Sequence, residues 1–218
     1  MKATVHRHIA KFFGKAGMLE AFWRDRKGTG AIEFTIVLPL LIVAYVGAFE
    51  ISAGFNIARK VARAASTVAD MTTRDDTVQV SALDGMPAVV RGIIDPFALS
   101  AGSNLKVTGI KITAPGVGVV AWSRGWSWKE NDKLDPSQGY TSSMVTTTTP
   151  YVKDSTVAIP NDVSTMNAFI VRTELTVPYT VKLLNWSSGT ASSSFNISKT
   201  YYLRQRIGDH ITCSGCGT

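Results

Sequence analysis

At 218 residues the chain has room for one anchored domain. Its 18% charged residues fall below the roughly one quarter usual for soluble domains, which points to a stretch in lipid. The net charge of +7 is uneven: residues 1–28 hold Lys2, Arg7, Lys11, Lys15, Arg24, Arg26 and Lys27 against Glu20 and Asp25, a net +5 that leaves +2 for the rest. A basic leader ahead of a nearly neutral body suits membrane orientation, and without a basic, aromatic-interleaved stripe in the body, nucleic acid is excluded as a partner.

In chain order, the leader comes first. Val5, Ile9, Phe12, Phe13, Leu19, Phe22 and Trp23 recur at helical steps with basic residues between them. That pattern fits an amphipathic helix in the headgroup layer, or a basic tail without structure. Either form stays cytoplasmic.

From Phe34 to Phe49 no residue is charged. Sixteen helical residues reach about 24 Å, short of the roughly 30 Å hydrocarbon core, so a secretory signal peptide is a rival reading. The long basic region and the lack of a prompt Ala-x-Ala site count against that rival. Pro39 removes a hydrogen bond to the Thr35 carbonyl and is expected to loosen the helix there. Beyond the span, Ile51, Phe55, Ala58, Val61, Ala62, Ala65, Val68 and Ala69 keep the helical step. One helix is therefore expected from about Ala31 to Met71. Arg59, Lys60 and Arg63 follow the span closely and weaken the positive-inside asymmetry.

Thr72–Thr77 is a polar break, and Val78–Leu99 reads as a second helix, ended by Asp95-Pro96 or by Ala101-Gly102-Ser103. Strands are expected at Leu105–Ile112, Val117–Trp122, Asn167–Val181 and Phe195–Arg206, the first two joined by an Ala114-Pro115-Gly116 turn. Gly125–Pro160, rich in Thr and Ser, reads as an insertion or loop with room for short pieces of structure, and Asn185–Ser194 as the last connection. Pro178 suggests an edge strand or a bulge. Trp122, Arg124, Trp126 and Trp128 alternate onto one face, which fits packing against the helix or, less simply, an exposed binding surface. The expected fold class is α+β: a long N-terminal transmembrane helix continuing into a periplasmic head, a second helix and an antiparallel sheet of about four strands.

The junction at the start of the apolar run carries the functional signal. Gly28 is followed by Thr29-Gly30-Ala31-Ile32 and then by Glu33-Phe34. This order resembles the processing site of class III prepilins, the Flp/Tad (tight-adherence) pilins and their TadE/TadF pseudopilin relatives. Val37-Leu38-Pro39-Leu40-Leu41, Phe49-Glu50 and the ending Tyr201-Tyr202-Leu203-Arg204-Gln205-Arg206 with Ile211-Thr212-Cys213 are similar to TadE-type sequences as well. The resemblance implies a pilin-like architecture with a cytoplasmic leader (1–28), a single-pass helix in the bacterial inner membrane (29–55) and a periplasmic head (56–218). It implies cleavage between Gly28 and Thr29 by a prepilin peptidase. Glu33, the fifth mature residue, would pair with the new α-amino group of Thr29 in a neighbouring subunit, with Phe34 part of the recognition pattern. The implied partners are other pilins and pseudopilins, and indirectly the Tad assembly platform and ATPase. The implied role is a minor pseudopilin supporting pilus assembly and adhesion, located in the inner membrane and, after assembly, in the pilus.

Each of these residues has a plainer reading. Gly28-Thr29 also fits an uncleaved anchor boundary, and Glu33 and Glu50 fit interfacial carboxylates that reach water. The chain as a whole then becomes an unprocessed single-pass envelope protein with a periplasmic binding domain. Cys213-Ser214-Gly215-Cys216 is a lone C-x-x-C; it lacks further zinc ligands and a βαβ context, so a short disulfide between Cys213 and Cys216 is expected. The sequence has no G-x-S-x-G, H-E-x-x-H or P-loop, and only His210 lies in the body. No catalytic residue, no cofactor and no metal site is expected, and the chain reads as structural.

Overall fold

The computed structural model of the chain describes residues 28–130, 133–135, 139–141, 145–181 and 194–216. The helical reading of residues 1–27 and the connection expected from Asn185 to residue 193 lie outside them. The chain forms two compact units, Met1–Phe49 and Glu50–Thr218.

A single helix, α1, covers Thr29–Thr72 and runs through Pro39 without a break. Within the first unit its apolar side chains are exposed: Ile36, Leu40 and Tyr45 are 70% exposed or more. Within the second unit the same helix packs a core face. Ile57, Val61, Ala64, Ala65, Val68 and Ala69 are buried at three- and four-residue steps. The helix ends at the polar run Thr73–Asp76, where Thr72 Oγ1 bonds back to the Val68 carbonyl (2.8 Å) and the Arg206 guanidinium pairs with Asp70.

The second helix departs from its expected form. Thr77–Gln79 is a short strand, β1, and the helical residues fall into α2 (Val80–Asp84) and α3 (Met86–Ile94). Gly85 divides them and Pro87 stands in the first turn of α3, where its missing N–H is harmless. Leu83, Met86, Val90 and Ile94 still supply the buried side. Lys60 Nζ donates to the carbonyls of Ile93 (3.1 Å) and Asp95 at the end of α3, so this cation caps a helix instead of standing free in solvent.

The four expected strands are present as β2 (Asn104–Ala114), β3 (Val117–Trp128), β8 (Phe169–Thr180) and β9 (Ser194–Arg204). Two hairpin strands, β4 (Lys133–Asp135) and β5 (Gly139–Thr141), stand apart from them, whereas β6 (Val145–Thr148) and β7 (Thr156–Ala158) join the main sheet. The result is a six-stranded sheet, ordered β6-β3-β2-β8-β9 with β7 also on β3. The region expected as a loop from Gly125 therefore begins inside a strand: Gly125–Trp128 pairs with Thr148–Val145. β-Branched threonines suit that edge position. Pro178 sits in a central strand, yet its lost donor costs little, because the β2 ladder on that side has ended at Asn104↔Thr176. Finally β10 (Thr212–Ser214) pairs in parallel with β1, Val78 opposite Cys213.

Alternation on β8 places Val171, Thr173, Leu175 and Val177 toward the α1 side, in one core with Leu83, Leu105, Trp126 and Trp128. Ile170 belongs to a smaller second core with Ile110, Ile112 and Ile159. Trp122, Trp126 and Trp128 are all at least 95% buried, so the alternating tryptophans are a packing face and not an exposed surface.

Candidate functional site

The segment 28–34 lies at the start of α1. Gly28 is exposed and its carbonyl accepts from the amides of Ala31 (3.0 Å) and Ile32 (3.1 Å), which makes it the N-cap residue. The Gly28–Thr29 peptide bond is therefore the one at which helix begins. No neighbouring atom would meet a Cβ at Gly28 or Gly30 within 4 Å. Gly30 is helical; an α-helical φ and ψ are open to glycine at a cost of about 1 kcal/mol relative to alanine.

Glu33 is exposed in the second turn, and among the described residues no cation or donor reaches its carboxylate. Phe34 beside it is 59% exposed. Among the described residues, Thr35 Oγ1 donates to the Ala31 carbonyl at 2.7 Å in this turn. Gly30–Thr72 has mean hydropathy 2.2 in its most apolar window, with none of that window buried, so this helix is long and apolar enough to cross a membrane. An exposed carboxylate among exposed Ile32, Phe34, Ile36 and Val37 is an ionisable group set in a lipid-type surface, which is expensive unless a partner meets it.

Glu50 is placed differently. It belongs to the second unit and accepts a hydrogen bond from Tyr179 Oη at 3.2 Å. The sequence pointed to Glu50 but gave no partner for it, since Tyr179 lies 129 residues away. On the other face of β8, Arg172 is 7% exposed, 4.4 Å from the Tyr151 ring, with Nε 3.4 Å from Glu174 Oε2; Tyr151 Oη donates to that same oxygen at 2.9 Å. Both phenols are held above the ordinary tyrosine value of 10.0. Burial is the larger cause in each case, followed by the bond to Glu174 for Tyr151 and by the Glu50 carboxylate for Tyr179. Folded-state values above the unfolded value mean that the unfolded chain ionises first as pH rises. Head stability is thus expected to be insensitive to these groups below about pH 10 and to fall above it, and the double variant Y151F/Y179F to lose most of that alkaline slope. Denaturant midpoints between about pH 8 and pH 11 measure this.

A second connection escaped the sequence reading. Arg124 makes a bidentate pair with Asp84, Nε to Oδ1 and Nη2 to Oδ2 both at 2.8 Å, and Trp126 Nε1 donates to Oδ1 at 3.2 Å. Arg124 alternates with the tryptophans and so shares their face, but α2 had to be in place before its partner was visible. Cys213 and Cys216 are paired, with Cα atoms 5.5 Å apart, in and just after β10. Among the described residues no group of three or more His, Cys, Asp or Glu side chains converges as a metal site.

Residues 28–70 match the family model described as TadE-like protein. The match covers the apolar run and nearly all of α1, so the TadE-type resemblance of that helix holds over this stretch. No curated protein and no solved structure matches the chain.

Proposed function

We propose that the chain is a TadE/TadF-like minor pseudopilin of a tight-adherence pilus system, a structural part and not a catalyst. The observation that carries this reading is the family match over residues 28–70, which spans the proposed cleavage pair and the membrane-length helix together. The leader stays in the cytoplasm, the head lies in the periplasm, and a prepilin peptidase cuts between Gly28 and Thr29. A cap glycine with open space around it supports access to that bond. Glu33 then meets the α-amino group of Thr29 in a neighbouring pilin or pseudopilin, which sets register as the subunit leaves the bilayer. Extraction is driven in trans by the assembly platform and its ATPase, because the chain has no nucleotide-binding loop. A few copies prime or cap the filament or join its base, and adhesion follows indirectly.

The reading is tested by deleting the chain from its host. Surface filaments counted by electron microscopy are expected to fall sharply and to return when the full chain is restored. An undiminished filament count in the deletion strain would leave an unprocessed envelope anchor as the better description.

A further inference from the structure

We propose that the second unit carries a binding site for a carboxylate-bearing sugar, in the cleft between the end of the sheet and the C-terminal segment. The cavity there has a volume of about 670 Å³, within the roughly 300–1,000 Å³ of small-molecule sites. It lies wholly within Glu50–Thr218 and is separate from the α1 segment described above.

The walls have a defined construction. Gly109 lets the floor close: a Cβ there would stand 2.5 Å from the Trp122 ring and 2.8 Å from Phe169, so glycine alone lets the two rings lie over the β2 backbone. Trp122 Nε1 donates to the Ile211 carbonyl at 2.8 Å, which ties the opposite wall to that floor. The wall is also held by the β1–β10 pairing and by the Cys213–Cys216 link, and both cysteines line the cavity.

The chemistry of the lining selects the ligand. Lys111 and Lys153 both face the cavity, both are exposed, and among the described residues neither has a carboxylate partner. Two uncommitted ammonium groups favour an anion. The remaining polar lining is of another kind: the Asn167 amide, the His210 imidazole and the Asp209 carboxylate can donate to or accept from hydroxyl groups. Asn167 holds a left-handed φ of 61° at the strand entrance, a conformation asparagine tolerates and one that recurs at ligand sites. An anion without hydroxyls would leave Asp209 as pure repulsion. A pyranose bearing one carboxylate satisfies both halves: its charge meets the lysines, its hydroxyls meet the amide, imidazole and carboxylate, and its C–H face meets the apolar floor.

The test is calorimetric titration of the full chain in detergent micelles with glucuronate, with N-acetylmuramate, and with glucose and inorganic phosphate as controls. The two acidic sugars place the carboxylate on the ring and on an ether side chain, so the tighter of them identifies the kind of glycan that supplies the ligand. Saturable binding of at least one is expected, weakened about tenfold or more in K111Q/K153Q and at least as much for glucose in the unaltered chain. Both lysines are exposed, and matching circular dichroism spectra check that the variant is folded. Failure of both acidic sugars to bind would overturn the proposal. So would equal affinity in K111Q/K153Q, or equal binding of glucose or phosphate.

Discussion

Replacing Glu33 by glutamine is expected to reduce surface filaments roughly tenfold or more while leaving the amount of protein in the membrane unchanged. Glutamine keeps the size and the hydrogen-bonding oxygen and removes only the charge. The helix does not need that charge, because Glu33 is exposed and no described group pairs with it. Neutralising it should even ease residence among Ile32, Phe34 and Ile36. A charge that costs free energy in the isolated subunit, and that no described residue pairs with, is accounted for if a second subunit brings the cation. Leaving one member of such a pair unmatched in an apolar setting costs about 3–5 kcal/mol, enough to stop docking. Filament counts together with membrane immunoblots decide it. Normal filaments with E33Q would assign Glu33 to the interface with water.

Replacing Trp126 by alanine is expected to lower the unfolding free energy of the head by about 3–5 kcal/mol, the cost of removing a large aromatic side chain from a close-packed core. Trp126 is 2% exposed and pairs across to Leu105 on β2 and Thr147 on β6, so there is little room for neighbours to collapse into the cavity. Its Nε1 also reaches Asp84, linking α2 to β3. Phenylalanine keeps most of the buried area and loses only that bond. Because Asp84 keeps the Arg124 fork and is partly solvated, W126F should cost about 1 kcal/mol. Urea midpoints from far-ultraviolet circular dichroism separate the two. If W126A cost no more than W126F, the tryptophan face would not be the core it is described as.

What the sequence revealed followed from periodicity and turn chemistry. The 3.6-residue step carried α1 to within two residues of its observed start and one of its end, Thr29–Thr72 against Ala31–Met71. The Ala114-Pro115-Gly116 turn located the β2–β3 hairpin, where Gly116 holds φ +74°. Strand β8 was legible because its alternation is strict over one face. The features that were not legible depend on distant partners. β1 looks like the start of a helix until Thr212–Ser214 lies beside it, and Thr77 and Thr212 are 135 residues apart. β6 and β7 are threonine-rich and weakly patterned, and only the edge of β3 makes strands of them. Gly85 interrupts an otherwise helical pattern and was too small a signal to overrule it. At the candidate site, Gly28, Glu33 and Phe34 were found through their order in the chain, whereas Tyr179 opposite Glu50 and Asp84 opposite Arg124 needed the fold. The cavity had no linear signature, since Lys111, Lys153 and His210 come from three separate segments.

The most direct measurement is the N-terminal residue of the protein recovered from membranes, with and without the prepilin peptidase. A start at Thr29 that requires the peptidase is expected. A chain that begins at Met1 in both samples would contradict it.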